Sequence, residues 1–425
     1  LNEPTPNTVA NAVPARSRSF AALRHAGYRG FFLSNAAAMM ADSIEHVISY
    51  WVMFEKFKSP WLGAFAVISH WLPFLLLSIP AGALADRFDP RRLIQLGMLL
   101  FMAVSLAWGV LFITDTLEVW HACVLLVLHG VAGVLWNPPA QVLLHDIVGP
   151  ELLQSAVRLN ATARYLGLLA GPAIGGGILL VLGPKYGILF NALLYLPTIL
   201  WLWKAPYGPR FRKGWTPPAR AIRGFADIVA TLRLVGGHRI ILSMTMLAGC
   251  ASLFVGNAYQ AQMPGFAYDL GHVDADLSYS VLLAADAAGA LLAGMILESR
   301  GLLPPNPRTA FVLALIWCGA LAGFALSAAY PLALVLLFVA GFVELSFNSM
   351  AQTLVQLHAP ADIRGRVIGV FSMSALGMRM FSGITVGIIG GVIGIHYSLA
   401  FSALALGIVI MTLMLYAMRQ RAQAV

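Results

Sequence analysis

Charge is scarce in this chain. Of its 425 residues only 11% are Asp, Glu, Lys or Arg, and 59% are hydrophobic, with a mean hydropathy of +0.80. Soluble domains carry about 25% charged residues, so a soluble fold is excluded and an integral membrane protein is expected. Cysteine is nearly absent too: Cys123, Cys250 and Cys318 all fall inside apolar runs with no metal-like spacing. That argues against a disulfide framework and against a zinc site, and leaves the three as small core residues. No nucleotide-binding motif occurs. The glycines around residue 171 are followed by no Lys with Ser or Thr in the Walker spacing and preceded by no strand. Nor does any Ser, His and acid constellation stand out, so neither an enzyme nor a cofactor nor a metal is expected. Residues 1–19 are rich in Pro, Asn, Thr and Ser and lack an apolar core; they read as a disordered cytoplasmic tail, not a cleavable signal peptide.

What the chain has is a series of apolar runs. About twelve are long enough to cross a bilayer, near residues 30–54, 60–84, 93–113, 118–144, 159–182, 185–203, 239–262, 275–297, 308–329, 331–356, 366–393 and 396–418. The formal net charge of +9 could suggest nucleic acid, but the basic residues sit in short loops between these spans. With the N-terminus in the cytoplasm, 22 of the 27 Lys and Arg residues fall in the tails and the even-to-odd loops. Lys56, Lys58 and Lys185 lie outside, and Arg164 and Arg379 within spans. Such asymmetry predicts a multi-pass protein with both termini inside and no nucleic-acid partner.

One long connection, 204–238, carries Arg210, Arg212, Lys213, Arg220, Arg223 and Arg233 and four prolines. It divides the chain into a six-helix bundle over 20–203 and another over 239–418, followed by a short cytoplasmic tail, 419–425. The linker's charge suits anionic lipid headgroups; a protein partner is the alternative. An internal repeat fits the division. Asn137, Ala140, Gln141 and Leu143 at the end of the fourth span recur as Asn348, Ala351, Gln352 and Leu354 at the end of the tenth, 211 residues on.

Polar residues inside the spans are the candidate functional groups. A charged side chain at mid-membrane costs about 2.5 to 3.5 kcal/mol on insertion scales. In the first span Asp42, Glu45 and His46 share one helical face, which should line a wet cavity or meet a partner. They are candidates for proton binding and substrate contact; the alternatives are an Asp paired with an arginine between helices and a histidine bonded to a neighbour. In the tenth span Glu344, Asn348 and Gln352 form a second stripe. Glu344 is the candidate proton carrier there, with an ion pair to Arg379 as its alternative. Asp286 in the eighth span could gate the cavity or bond across helices. Asn257, Gln260 and Gln262 could contact substrate, although interhelical bonding is the commoner role of such amides. Arg164 suits a structural partner for an acid better than a substrate clamp. Gly167, Gly171, Pro172, Gly175, Gly176 and Gly177 give the fifth span a small-residue face, for close packing or a flexible point for rocking.

The stretch Ala81–Arg92 places Asp86, Arg87, Asp89, Arg91 and Arg92 between two apolar spans, with Gly82 before them and Pro90 restarting a helix. It resembles the signature loop between the second and third helices of the major facilitator superfamily. The run from Asn137 through Asp146, Glu151 and Asn160 to Gly171 and Pro172, with Arg364, Gly365, Arg366 and Val367, is similar to the branch containing the enterobactin exporter and drug exporters. That resemblance implies an all-α fold of twelve helices in two pseudo-symmetric bundles, with substrate bound between them. It implies a secondary exporter of a hydrophobic or amphipathic molecule, a drug or siderophore, working as a monomer by proton antiport in a bacterial inner membrane, in contact with its lipids. A lysolipid flippase or importer, and a non-transporting scaffold or sensor, are alternatives on the same fold. The glycine-rich fifth span loosely resembles an antiporter signature. In the family the loop acid closes the cytoplasmic side, which places that gate on Gly82, Asp86, Arg87, Arg91, Arg92, Arg364 and Arg366. Two departures stand out: Asp89 replaces a frequent glycine, and the second-half loop Glu298, Ser299, Arg300 and Gly301 keeps only a trace of the signature. A gate with most of its charge in the first half is therefore expected.

Overall fold

The computed structural model describes residues 19–57, 60–211, 225–270 and 275–419. Residues 1–18 and 420–425 of the expected tails, and residues 212–224 of the expected linker, lie outside that description. Among the described residues every regular element is a helix. Apolar surroundings dictate this, since backbone polar groups in lipid must be paired within the segment that carries them.

The first half comprises α1 (Ala26–Phe57), α2 (Pro60–Arg87), α3 (Pro90–Thr114), α4 (Val119–Leu193) and α5 (Leu196–Lys204). At 75 residues α4 is not one rod. Gly149 (φ 68°, ψ 177°) and Gly183 (φ 70°, ψ 171°) break it. Their dihedrals belong to a region open essentially to glycine alone, and each is followed by a proline that donates no N–H. The chain therefore turns back twice, giving passages over 119–148, 150–182 and, continued by α5, 184–204. After α6 (Phe225–Gly237) the second half comprises α7 (Arg239–Phe254), α8 (Ala258–Ala261), α9 (Met263–Asp269), α10 (Ala275–Arg300), α11 (Pro307–Ala325), α12 (Tyr330–His358), α13 (Arg364–Ser372), α14 (Arg379–Ser382), α15 (Ile389–Ile393) and α16 (Ile395–Arg419). Two π turns, Met373–Gly377 and Gly383–Ile388, flank α14, so 364–393 is a single passage with a changed helical register.

Ten helical stretches are long and apolar enough to cross a membrane. The expected twelve is consistent with this once α1 is added and the two breaks in α4 are taken to separate three passages. The second half is built on a large apolar cluster around Trp317, Phe324 and Phe347. The first has two clusters, one around Tyr28, Phe101 and Tyr195 and one around Ile44 and Trp108. Smaller groups tie the halves together, such as Ala85, Val142 and Ile368.

Matching caps start the third and ninth passages. Asp89 accepts the N–H of Arg91 at 3.0 Å, with Pro90 as the first helical residue. Asn306 accepts that of Arg308 at 2.9 Å, behind Pro307. Each short polar side chain satisfies one of the unpaired donors of a helix start, and proline's missing N–H does no harm there.

Candidate functional site

Where α1 begins and α16 ends, the two halves meet in two sets of contacts. The first centres on Asp86, 6% exposed. Its carboxylate accepts the backbone N–H of Gly365 at 2.5 Å and of Arg366 at 2.9 Å, and the Arg366 Nε lies 3.6 Å away. A carboxylate at a helix N-terminus is stabilised by orphan donors and by the helix dipole. The approach requires glycine: a Cβ on Gly82 would strike the Gly365 carbonyl, and one on Gly365 the Gly82 carbonyl. Arg364 adds a contact to His145 Nδ1 at 3.1 Å.

Arg91 and Arg92 differ from expectation. They turn into their own half because acceptors and aromatic faces stand there. Arg91 pairs with Asp89 at 2.6 Å, donates to the Ala205 carbonyl and lies over the Phe211 ring. Arg92 donates to Gln95 at 2.8 Å and lies over Trp203. Arg87 lies over the adjacent Phe88.

The second set departs from the expectation that most of the charge at this end lies in the first half. Glu298, 2% exposed, accepts the hydroxyl proton of Ser155 in α4. Arg158 donates to the carbonyls of Leu297 (3.3 Å), Leu302 (2.7 Å) and Leu303 (2.5 Å), and Gln154 to Leu303 at 2.6 Å. The degenerate loop keeps little of the sequence signature yet holds the opposite half through a buried acid and a chain of carbonyls.

Farther from the termini a cavity opens between the halves. It is lined by Asn137, Gln141 and Arg164 from α4 and by Asn257, Glu344, Asn348, Gln352 and Arg379 from the second half. Asn137 and Gln141 thus share one wall system with Asn348 and Gln352, their counterparts in the repeat. Gln141 donates to Asn137 at 2.8 Å and to Ser372 at 3.3 Å, and Gln356 donates to Gln141 at 3.1 Å. Tyr165, Asn160 and Asn35, not singled out from sequence, also face the space. Arg379, between the π turns, lies over the Trp71 ring at 5.1 Å, a position where the helix register is altered. Behind the lining, the Tyr259 hydroxyl stands 3.1 Å from Asp286 and 3.4 Å from Glu344, and Gln260, itself a lining residue, donates to Asp286 at 3.1 Å. Asp286 and Glu344, in different helices, therefore meet through one hydroxyl.

Asp42, Glu45 and His46 are not in the cavity lining. They form a separate cluster with two histidines that the sequence reading passed over. His129 of α4 bridges the two acids, with Nε2 2.9 Å from Asp42 Oδ1 and Nδ1 2.8 Å from Glu45 Oε1. The Ser105 hydroxyl donates to the other Glu45 oxygen. His46 Nδ1 lies 2.7 Å from the Asp42 carbonyl, and its Nε2 lies 3.3 Å from Nδ1 of His70 in α2. No metal site was expected, on cysteine spacing; the fold nevertheless gathers His46, His70 and His129 with ligand atoms within 4.8 Å of one another. The available signal was a lone histidine inside an apolar span, twice. Of the small-residue face, Gly171 and Gly175 pack against Ser43 and Val47 of α1, Gly176 faces open space, and the Pro172 side chain lies outside the description.

The family described as transmembrane secretion effector matches residues 17–424. The multidrug efflux pump Tap of Mycolicibacterium fortuitum is 25% identical over 374 residues, 84% of this chain and 88% of its own length. The staphyloferrin A transporter of Staphylococcus aureus is 25% identical over 171 residues, 40% of this chain and 43% of that one. Among solved structures, the human organic anion transporter MFSD10 (TETRAN) superposes with a TM-score of 0.71 at 14% identity, covering 91% of this chain and 98% of its own. The E. coli fucose:proton symporter FucP gives 0.68 at 13%, covering 94% and 99%. At these identities the solved structures speak for the fold.

Proposed function

The chain belongs to the transmembrane secretion effector family within the major facilitator superfamily, and we propose that it is a proton-coupled exporter of a hydrophobic or amphipathic small molecule. The observation that carries this is the cavity between the halves, lined by amides and two guanidinium groups, with Glu344 on its surface and Asp286 behind it. The distribution of Lys and Arg supports cytoplasmic termini, and the bacterial relatives support a bacterial inner membrane. One chain supplies both walls of the cavity, so a monomer suffices. In this scheme the contacts of Asp86 and Glu298 close the cytoplasmic end, and their breakage opens it. A contact made in one of two states biases the equilibrium between them, which alternating access requires. Two carboxyls on one tyrosine hydroxyl form a place where a single proton is held and released. A proton on Glu344 and a substrate in the same cavity exclude each other, which yields exchange. Asp42 and Glu45 are engaged by His129 away from the cavity, so coupling is assigned here to Glu344 with Asp286. The Tap relative of Mycolicibacterium fortuitum is a multidrug efflux pump, which supports export.

The test is transport of fluorescent amphipathic dyes by the purified protein in liposomes under an imposed pH gradient. The parent should drive flux with the gradient, whereas Glu344→Gln and Asp286→Asn should lose the gradient dependence and keep dye exchange without it. Equal gradient-driven flux in all three would sink the coupling assignment. Absence of flux for the whole dye panel would favour a scaffold, and net flux inward an importer.

A further inference from the structure

The cluster of Asp42, Glu45 and three histidines is not used by the transport scheme, and its geometry is that of an ion site. We propose that His46 Nε2, His70 Nδ1, His129 Nε2 and one Asp42 carboxylate oxygen bind a divalent transition-metal ion of the zinc class within the first half of the protein.

Four observations converge on this. The first is spacing. Metal–nitrogen bonds of about 2.0 to 2.1 Å in a tetrahedron place ligand nitrogens roughly 3.3 Å apart; His46 Nε2 and His70 Nδ1 stand 3.3 Å apart, and the three histidine ligand atoms lie within 4.8 Å of one another. Rotation of half-buried rings closes the remainder.

The second is the outer ring of hydrogen bonds. A metal-bound histidine donates its other N–H to a carboxylate or carbonyl, which fixes its tautomer and aim. His46 Nδ1 meets the Asp42 backbone carbonyl at 2.7 Å, leaving Nε2 as the free lone pair, and His129 Nδ1 meets Glu45 at 2.8 Å, leaving Nε2 facing Asp42. Glu45 is itself held by the Ser105 hydroxyl. Both outer partners are in place on the nitrogens that do not face the centre.

Charge is the third. Asp42 and Glu45 together balance a dication when the imidazoles are neutral. On binding, the proton between His46 and His70 moves to the other His70 nitrogen, and the one between His129 and Asp42 is released to solvent, so all three imidazoles stay neutral. Three imidazoles and one carboxylate are borderline donors that suit zinc, cobalt or nickel and discriminate against magnesium and calcium, which take all-oxygen shells. Access is the fourth: the side chains of Asp42 and His46 are 27% and 23% exposed, whereas His129 is buried at 4%. The α1 ligands thus keep part of their surface open while His129 backs them.

The test uses the full chain, without a polyhistidine tag, stripped with chelator in detergent, and reads Zn2+ by equilibrium dialysis and Co2+ by visible absorption. One ion per chain is expected, with the intense absorption of tetrahedral Co2+, bleached by Zn2+ and untouched by Mg2+. His70→Asn should weaken binding by more than about 10-fold, and Glu45→Gln, acting through His129, by about 10- to 100-fold. His70 touches His46 in this cluster, so its variant decides the matter if a His129 variant does not fold. Unchanged affinity in a monodisperse His70→Asn protein, or weakly absorbing octahedral Co2+ in the parent, would overturn the site. Neither readout depends on transport, so failure here leaves the exporter assignment standing, and the converse holds.

Discussion

Asp86 on α2 and Gly365 at the start of α13 are 279 residues apart in the chain, yet the carboxylate of one accepts the backbone N–H of the other at 2.5 Å. Loss of the charge weakens a charge-assisted bond and the interaction with the helix end. Hydrogen bonds to charged groups contribute about 1.5 to 3 kcal/mol and the helix terminus about 0.3 to 1 kcal/mol. Asp86→Asn keeps an acceptor, so a shift of about 1 to 2 kcal/mol toward the form open at this end is expected, a factor of roughly 5 to 30 in population. A single cysteine at Ser372, in a background lacking the three native cysteines, should react faster with a water-soluble thiol reagent. Equal rates in variant and parent would refute the latch.

Gly365→Ala tests the same seam by volume. A Cβ there meets the Gly82 backbone carbonyl, which cannot swing away as a flexible side-chain tip would, and displaces the Asp86 carboxylate from the donors that hold it. The alanine protein should fold, label at the cavity cysteine as Asp86→Asn does, and lose most of its gradient-driven flux. Retention of parental flux and labelling would show that the seam has slack.

Gly341 lies under α10: a Cβ would collide with the Asp286 backbone carbonyl, whereas one on Gly319 meets nothing. Overpacking of this kind costs about 1 to 3 kcal/mol. Gly341→Val should lower the thermal unfolding temperature in detergent and Gly319→Ala should leave it in place. Equal unfolding temperatures for both would contradict the close approach of α10 and α12.

Outside the membrane-spanning segments, Lys56 donates to Asp115 at 2.8 Å and holds that carboxyl below its usual range. A depressed carboxyl contributes stability above its unfolded value and loses it as pH falls through the folded one. Asp115 is 88% exposed, so screening removes nearly all of the effect. Asp115→Asn should leave unfolding at neutral pH unchanged within error, at low and high salt alike. A salt-sensitive drop would show a stronger pair than the geometry allows.

Much of the architecture was legible because lipid leaves a chain few choices. Apolar runs and the Ala81–Arg92 turn carry their meaning locally, and the recurrence of Asn137 and Gln141 at Asn348 and Gln352 points to the cavity where all four meet. What was not legible depends on distant partners. His70 and His129 look like isolated polar residues until three helices bring them to Asp42 and Glu45. Glu298 sits in the last turn of α10, in a stretch that has lost its signature, and its worth comes from Ser155 across the interface. Arg91 and Arg92 carry a family motif, yet neighbours in their own half claim them: Asp89, Ala205 and Phe211 for one, Gln95 and Trp203 for the other. A motif identifies residues; competition among acceptors decides which way they turn.

Asp86 and Glu298 lie on different helices and share no partner. Free energies of independent sites add, so their effects on the open population multiply. Under the proposed gating, breaking both in one chain should raise the open-to-closed ratio by the product of the two single effects. A transporter so built tolerates drift in one loop while the other holds. If the two contacts act as proposed, the worn signature at Glu298 costs the closed form little while Asp86 holds.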